Sequence, residues 1–311
     1  MQSVFDAVLP VFALILMGFL AAKRNLLGPE ATTSLNTFVV WLALPALLFQ
    51  AMATVKASDI AHMGFLAAFA IGMALTFVLS LVIDRRSTRR LADRSIEGLN
   101  AAYANAGFMG IPLGLAVFGP AVLSGLVLAS LLTACGLFAF SIVLIEFDLN
   151  GGHSIGRILN TLLRSLARNP LVFSPFAGAC FALAQIPLPG PVLHFTALLG
   201  AAASPCALVT IGLFLAQSEA SRENMIVGRL VLLKLFVQPV ITAIFAINVF
   251  TMPSVWAKTA ILLSALPTGT GPFMLAKLYD REAAVTSRAI LVSTVISVVT
   301  ISFLVAFMQA G

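Results

Sequence analysis

Two short stretches place helix-breaking residues and neutral hydrogen-bonding groups side by side inside long apolar runs. Asn105 to Gly114 reads NAGFMGIPLG, and Ser264 to Phe273 reads SALPTGTGPF. Pro112 and Pro272 each lack an N–H, and each ring collides with the carbonyl four residues back. Gly107 and Gly110 in the first stretch, and Gly269 and Gly271 in the second, loosen the same turn. An interrupted helix presents a half-helix N-terminus, whose free N–H groups and partial positive charge suit a carboxylate. Asn105, Thr268 and Thr270 add neutral donors and acceptors beside the breaks. The chemistry this predicts is recognition of a small anion. The alternative is that these prolines and glycines only kink helices for packing.

Lys234, in RLVLLKLFVQP, is the one cation that falls inside an apolar run. It stands about eight residues, or about 12 Å of rise, from the nearer end of its helix. One reading is a lysine that snorkels to the interface. The other is a counter-charge for an anionic substrate, or a group that alternates with a proton. Gln238 would share its face one turn on. The 12 acidic residues lie near the ends of apolar runs or between them. No carboxylate is placed at mid-run, where cation pumps need one. Asp84, Asp93, Glu97, Glu146 and Asp148 are all expected at the charged end.

Other chemistries find no support. His62, His153 and His194 sit near run ends and no cluster has metal-ligand spacing. No Ser/His arrangement, nucleophile elbow or phosphate-binding glycine loop occurs, so neither an enzyme nor an ATP-driven pump is expected. Cys135, Cys180 and Cys206 lie in apolar segments and read as small buried residues. No cofactor is expected, apart from a coupling ion, H+ or Na+.

Positioning these residues requires a membrane. Of 311 residues 60% are hydrophobic and 10% charged, and mean hydropathy is +1.06. Thirty charges cannot cover a soluble domain. The net charge of +6 therefore orients spans and does not point to nucleic acid. A span needs about 20 apolar residues. Ten stretches qualify, at about 4–22, 32–55, 60–83, 96–118, 122–147, 169–187, 191–217, 226–250, 255–277 and 285–308. Met1 to Ala22 has no basic start and reads as the first span, not a cleaved leader.

Connecting segments carry the orientation. One set holds 15 cations: Lys23, Arg24, Arg85, Arg86, Arg89, Arg90, Arg94, Arg157, Arg164, Arg168, Arg222, Arg229, Lys277, Arg281 and Arg288. The other set, to which both termini belong, holds only Lys56 and Lys258. The positive-inside rule puts both termini outside the cytoplasm.

An internal repeat divides the spans. Pro10, Pro29, Pro45 and Pro112 recur 160 positions later as Pro170, Pro189, Pro205 and Pro272. Gly18 with Gly178 and Leu48 with Leu208 keep the register. Residues 1–150 and 160–311 then form two repeats of five spans. Five is odd, so the second enters the membrane inverted, as in many secondary transporters. Paired breaks in corresponding spans four and nine of such a repeat point to a binding site. Pro45 and Pro205 form a further symmetric pair, read as a structural kink.

The pattern N-x-G-x-x-G-x-P at Asn105, Gly107, Gly110 and Pro112 resembles the fourth span of the auxin efflux carrier family. So do LALPALLF at Leu42–Phe49 and KLFVQP at Lys234–Pro239. The likeness covers essentially the whole chain. It implies an all-α, ten-span, five-plus-five inverted fold in which spans four and nine are broken and cross at mid-membrane. Spans 1, 2, 6 and 7 would form a scaffold that also mediates a homodimer, with spans 3–5 and 8–10 as transport core. The resemblance further implies a multi-pass protein of the cell inner membrane, close to bacterial carriers of malonate, malate or similar carboxylates. By carry-over Asn105, Pro112 and Pro272 line the substrate site. The repeat is imperfect there, since the position 160 after Asn105 is Ala265. Thr268 or Thr270 would have to substitute.

The expected activity is alternating-access transport of a small organic anion. A sodium-coupled symporter of the bile-acid type and an auxin-like monocarboxylate exporter are the nearest alternatives. A channel or a non-transporting membrane module is the other class, separated by unitary currents or by the absence of saturable flux.

Overall fold

The computed structural model describes residues 2–54, 63–84, 89–149, 170–217 and 223–310. Lys56, His62, Arg85, Arg86, His153, Arg157, Arg164, Arg168 and Arg222 lie outside these residues, as do the first residues of the expected third span. The described residues form helices α1 (Gln2–Lys23), α2 (Pro29–Ala53), α3 (Met63–Ile83), α4 (Leu91–Ala102), α5 (Ala106–Phe118) and α6 (Pro120–Leu149). They continue with α7 (Pro170–Leu183), α8 (Gly190–Ala216), α9 (Asn224–Val249), α10 (Ser254–Ser264), α11 (Gly271–Leu278) and α12 (Ala283–Ala310). Each apolar stretch carries helix, two of them in two pieces: α4 with α5, and α10 with α11. By length and composition α2, α3, α6, α8, α9 and α12 can cross a membrane, while α1, α5 and α7 are shorter apolar helices. No strand occurs among the described residues.

Burial is inverted relative to a water-soluble protein. Phe303, Phe307, Leu183 and Leu198 are exposed, whereas Thr76, Asn100, Lys234, Gln238 and Thr286 are fully enclosed. Enclosed hydroxyls bond to the carbonyl one turn back, as Thr76 does to Gly72 (2.7 Å) and Thr294 to Ile290 (2.7 Å), so they cost little in apolar surroundings. The chain is a multi-pass integral membrane protein.

Three prolines inside the spans are absorbed by widened turns. Five-residue π segments at Val39–Ala43, Ala106–Gly110 and Leu233–Val237 each end two residues before a proline, at Pro45, Pro112 and Pro239. Widening the turn moves the carbonyl that the ring would strike and accommodates the missing N–H.

The chain divides into two units. The first comprises residues 1–63, 107–131 and 166–217. Within it α1 lies along α8, and α7 along α2, through backbone-to-backbone contact. A Cβ on Gly18 would stand 2.2 Å from the Val209 carbonyl oxygen, and one on Gly178 2.3 Å from that of Phe49. Both members of this pair of contacts are displaced by the same 160 positions. Gly212 faces the Ile15 carbonyl equally closely. Small residues at such points let helices approach without a hydrophobic driving force, which lipid does not supply.

The second unit comprises residues 64–106, 132–165 and 218–311. Its apolar core joins α4, α9 and α12 through Ala101, Leu230, Leu233 and Ala289. Thr242 of α9 meets Gly72 of α3. One end is tied by charge. Glu97, expected as an interfacial residue, is 1% exposed and paired with both Arg89 and Arg229. Arg229 also reaches Asp84 (3.2 Å), Arg281 reaches Asp93 (3.0 Å), and Arg89 reaches Glu282. Burial alone would lower the Arg89 pKa; the carboxylates of Glu97, Glu282 and Glu223 outweigh it, so the guanidinium stays charged. Tyr279 donates to Glu146 (2.7 Å) at the same end. Its phenol pKa is raised, first by burial and then by that carboxylate.

Two substitutions probe these contacts. Gly18→Ala forces α1 away from α8 and is expected to cost about 1–3 kcal/mol, the range for overpacking. Glu97→Gln leaves two guanidinium groups short of charge and is expected to cost about 1–3 kcal/mol, between an exposed and a fully buried pair. Thermal unfolding in detergent, read as a lowered Tm for each variant, checks both.

Candidate functional site

The α4–α5 and α10–α11 breaks lie earlier in the sequence than the prolines that signal them. Helix α4 stops at Ala102, and Tyr103 turns into extended backbone (φ −81°, ψ 97°). Helix α10 stops at Ser264, before Pro267. A residue preceding proline is biased away from helix, which accounts for the second stop. Pro272 instead occupies the first turn of α11, where a missing N–H is harmless. Pro112 follows the widened turn of α5. Pro112 and Pro272 therefore permit the second half-helices and do not themselves form the gaps.

The two unwound segments satisfy each other. The Asn105 N–H donates to the Pro267 carbonyl (2.9 Å), and the Gly269 N–H donates to the Tyr103 carbonyl (3.0 Å). Ala104 and Thr268 thereby form an isolated antiparallel bridge. The Thr268 hydroxyl donates to the Asn100 carbonyl (2.9 Å), and its N–H donates to Ser293 Oγ (3.1 Å). Asn100 Nδ2 in turn donates to Thr286 Oγ1 (2.9 Å). Unwound backbone at membrane depth is held by protein in this way. Asn105 is 5% exposed, and its side-chain amide makes no hydrogen bond among the described residues.

Helix α9 closes the carbonyl ends of both half-helices. Lys234 Nζ donates to the Ser264 carbonyl (2.7 Å) at the end of α10. Gln238 Nε2, one turn on, donates to the Ala102 carbonyl (3.1 Å) at the end of α4. A helix C-terminus carries a partial negative charge, which favours a donor group there. Among the described residues Lys234 has no acidic partner. Asn100 Oδ1 and Gln238 Oε1 are buried acceptors without a partner among the described residues.

Residues 3–305 match the family described as membrane transport protein. The chain belongs to this family, that of the auxin efflux carriers. It is 29% identical over its whole length to a protein of Rhizobium meliloti (strain 1021) named "putative malonate transporter", of which 98% is covered. It is 23% identical over 96% of its length to auxin efflux carrier component 8 of Arabidopsis thaliana, covering 95% of that protein. It also resembles the lysosomal cholesterol signaling protein of Mus musculus, at 22% identity over 94% of this chain but only 36% of that protein.

In this membrane transport protein the residues singled out in the sequence divide between the two units. Asn105, Thr268, Gly269, Thr270, Gly271, Pro272 and Lys234 all belong to the second unit, and the hydrogen bonds above join their segments. Gly107, Gly110 and Pro112 belong to the first. Gly107 borders open space, with nothing within 4 Å of a built Cβ. Sequence reasoning missed Asn100, Tyr103, Thr286 and Ser293. A second amide five residues before Asn105, and hydroxyls spaced at helical intervals along the last span, were the available signals.

Thr268→Val keeps the side chain's shape but removes its hydroxyl from the Asn100 carbonyl. It is expected to lower stability by about 1 kcal/mol, the usual worth of one hydrogen bond. A modest fall in Tm with unchanged helical content checks this.

Proposed function

We propose that this chain is a secondary carrier of a small organic anion, a malonate- or malate-like carboxylate, working by alternating access around the paired breaks. The observation that carries the reading is Asn105: the residue is 5% exposed and its amide makes no hydrogen bond among the described residues, on backbone already held by Pro267. Thr268 to Pro272 bring a half-helix N-terminus to the same pair of segments, a favourable place for a carboxylate. No acidic side chain hydrogen-bonds to either unwound segment among the described residues, and Glu97 is occupied by two arginines. The relative named for malonate supports the same substrate class.

The inverted five-plus-five repeat, with ten spans and both termini outside, belongs to this proposal. It is supported by the proline register and by the equivalent contacts of Gly18 with Val209 and Gly178 with Phe49. In such a fold α1, α2, α7 and α8 would act as scaffold and homodimer surface in the inner membrane, while spans 3–5 and 8–10 would move as transport core.

Lys234 bears on coupling. A lysine held at the carbonyl end of α10 supplies, when protonated, the positive charge that a bound sodium ion would otherwise bring, so we read transport as sodium-independent and proton-linked. The unpartnered oxygens of Asn100 and Gln238 favour the other reading, a sodium symporter, because hard cations take such ligands.

Uptake and efflux of labelled malonate, malate and indole-acetate in proteoliposomes tests all of this. Saturable malonate or malate flux is expected, unchanged when choline replaces sodium and increased by an imposed pH gradient. Asn105→Ala and Lys234→Ala should each reduce that flux at least about tenfold, the effect of losing one charge-assisted hydrogen bond. Saturable flux that survives both variants overturns the site. Loss of flux without sodium overturns the coupling and restores the symporter.

A further inference from the structure

Tyr103 stands in the first unwound segment with a side chain that makes no hydrogen bond among the described residues. Its carbonyl holds Gly269. From Ala101 to Ala106 every residue is buried except Tyr103, which is partly exposed. A tyrosine hydroxyl in apolar surroundings ordinarily finds a partner, so this one is free to serve a ligand.

The ring is fixed on two sides. It stands edge-on to Phe138 of α6, with centroids 6.5 Å apart. It also lies on the second break: a Cβ on Gly271 would come 2.5 Å from its Cζ and 2.7 Å from its hydroxyl oxygen. A Cβ on Gly269 would come 3.0 Å from two ring carbons. Neither glycine has a positive φ, so backbone conformation does not demand glycine at either place. The ring does. The Gly269–Thr270–Gly271 run is a cradle shaped to Tyr103, and it sets the phenol oxygen beside the first residue of α11. The partly exposed Thr270 stands between the two glycines, and Asn105, whose amide makes no hydrogen bond among the described residues, is two residues along the chain from the ring.

We propose that Tyr103 is a specificity-determining residue of this carrier. Its phenol donates a hydrogen bond to the carboxylate that docks at Asn105 and Thr270, and its ring limits the size of the substituent that carboxylate can bear. A small dicarboxylate fits beside the ring, and a carboxylate with a large flat substituent does not. This rests on the organic-anion reading above.

The test uses the full chain in proteoliposomes, with labelled malonate as substrate and phenylmalonate as bulky competitor. Tyr103→Phe preserves the ring and its cradle and loses only the hydroxyl. It should raise the malonate KM about tenfold, with kcat changed less than about twofold, as for a group that binds without taking part in the rate-limiting step. Tyr103→Ala should make phenylmalonate at least about tenfold more effective as a competitor. Gly271→Ala, which displaces the ring, should move selectivity the same way. Unchanged KM in Tyr103→Phe together with unchanged competition in Tyr103→Ala overturns the assignment. A Tyr103→Ala protein that only loses Tm and kcat, with its selectivity intact, also overturns it and makes Tyr103 a packing residue. If the unsubstituted chain takes up neither malonate nor malate, the organic-anion reading itself fails. Malonate uptake with selectivity unmoved by these variants removes Tyr103 alone.

Discussion

A helix interrupted inside hydrocarbon leaves N–H and C=O groups that no water can reach, and each is costly if left alone. This protein contains two such interruptions, and each supplies much of what the other lacks. Asn105 gives its N–H to Pro267, Gly269 gives its N–H to Tyr103, and Thr268 spans from Asn100 to Ser293. A single break would have needed an equal number of partners from intact helices, whose own backbone groups are already used. The local geometry of the second unit follows from this pairing, because the unwound residues are held by hydrogen bonds although they lie outside any helix.

Charge is managed by the same economy. The carbonyl ends of α4 and α10 would concentrate negative potential, and α9 meets both with side chains four residues apart, one of them Lys234. Lys234 Nζ meets the carbonyl end of α10, and the neutral amide of Gln238 meets that of α4. Carboxylates are instead gathered at one end of the unit, where Glu97, Asp84, Asp93 and Glu282 are matched to Arg89, Arg229 and Arg281. Among the described residues, no acidic side chain hydrogen-bonds to either of the paired breaks.

The first unit answers a different demand. Lipid offers helices no hydrophobic reason to associate, so α1, α2, α7 and α8 meet at glycines, where backbones come close enough for dispersion to act. Gly18, Gly178 and Gly212 each sit against a carbonyl of the opposing helix. Contacts this close tolerate little sliding.

The class of protein, the positions of the apolar stretches and the two interruptions were all legible from composition, run length and the Pro/Gly pattern, because hydrocarbon imposes those features on the chain locally. Gly18 and Gly178, which share the 160-residue register, each stand against a carbonyl of an opposing helix. The exact place of each gap was not legible. Proline signals a disturbance, but widened turns and first-turn positions absorb most of it, and the gaps open at Tyr103 and Ala265 instead. Nor could spacing show that Lys234 ends on the Ser264 carbonyl, that Glu97 is enclosed between two arginines, or that Tyr103 is the reason for two glycines about 170 residues away. Those facts depend on which helices become neighbours, and a neighbour distant in sequence leaves no local mark on the residues it will touch.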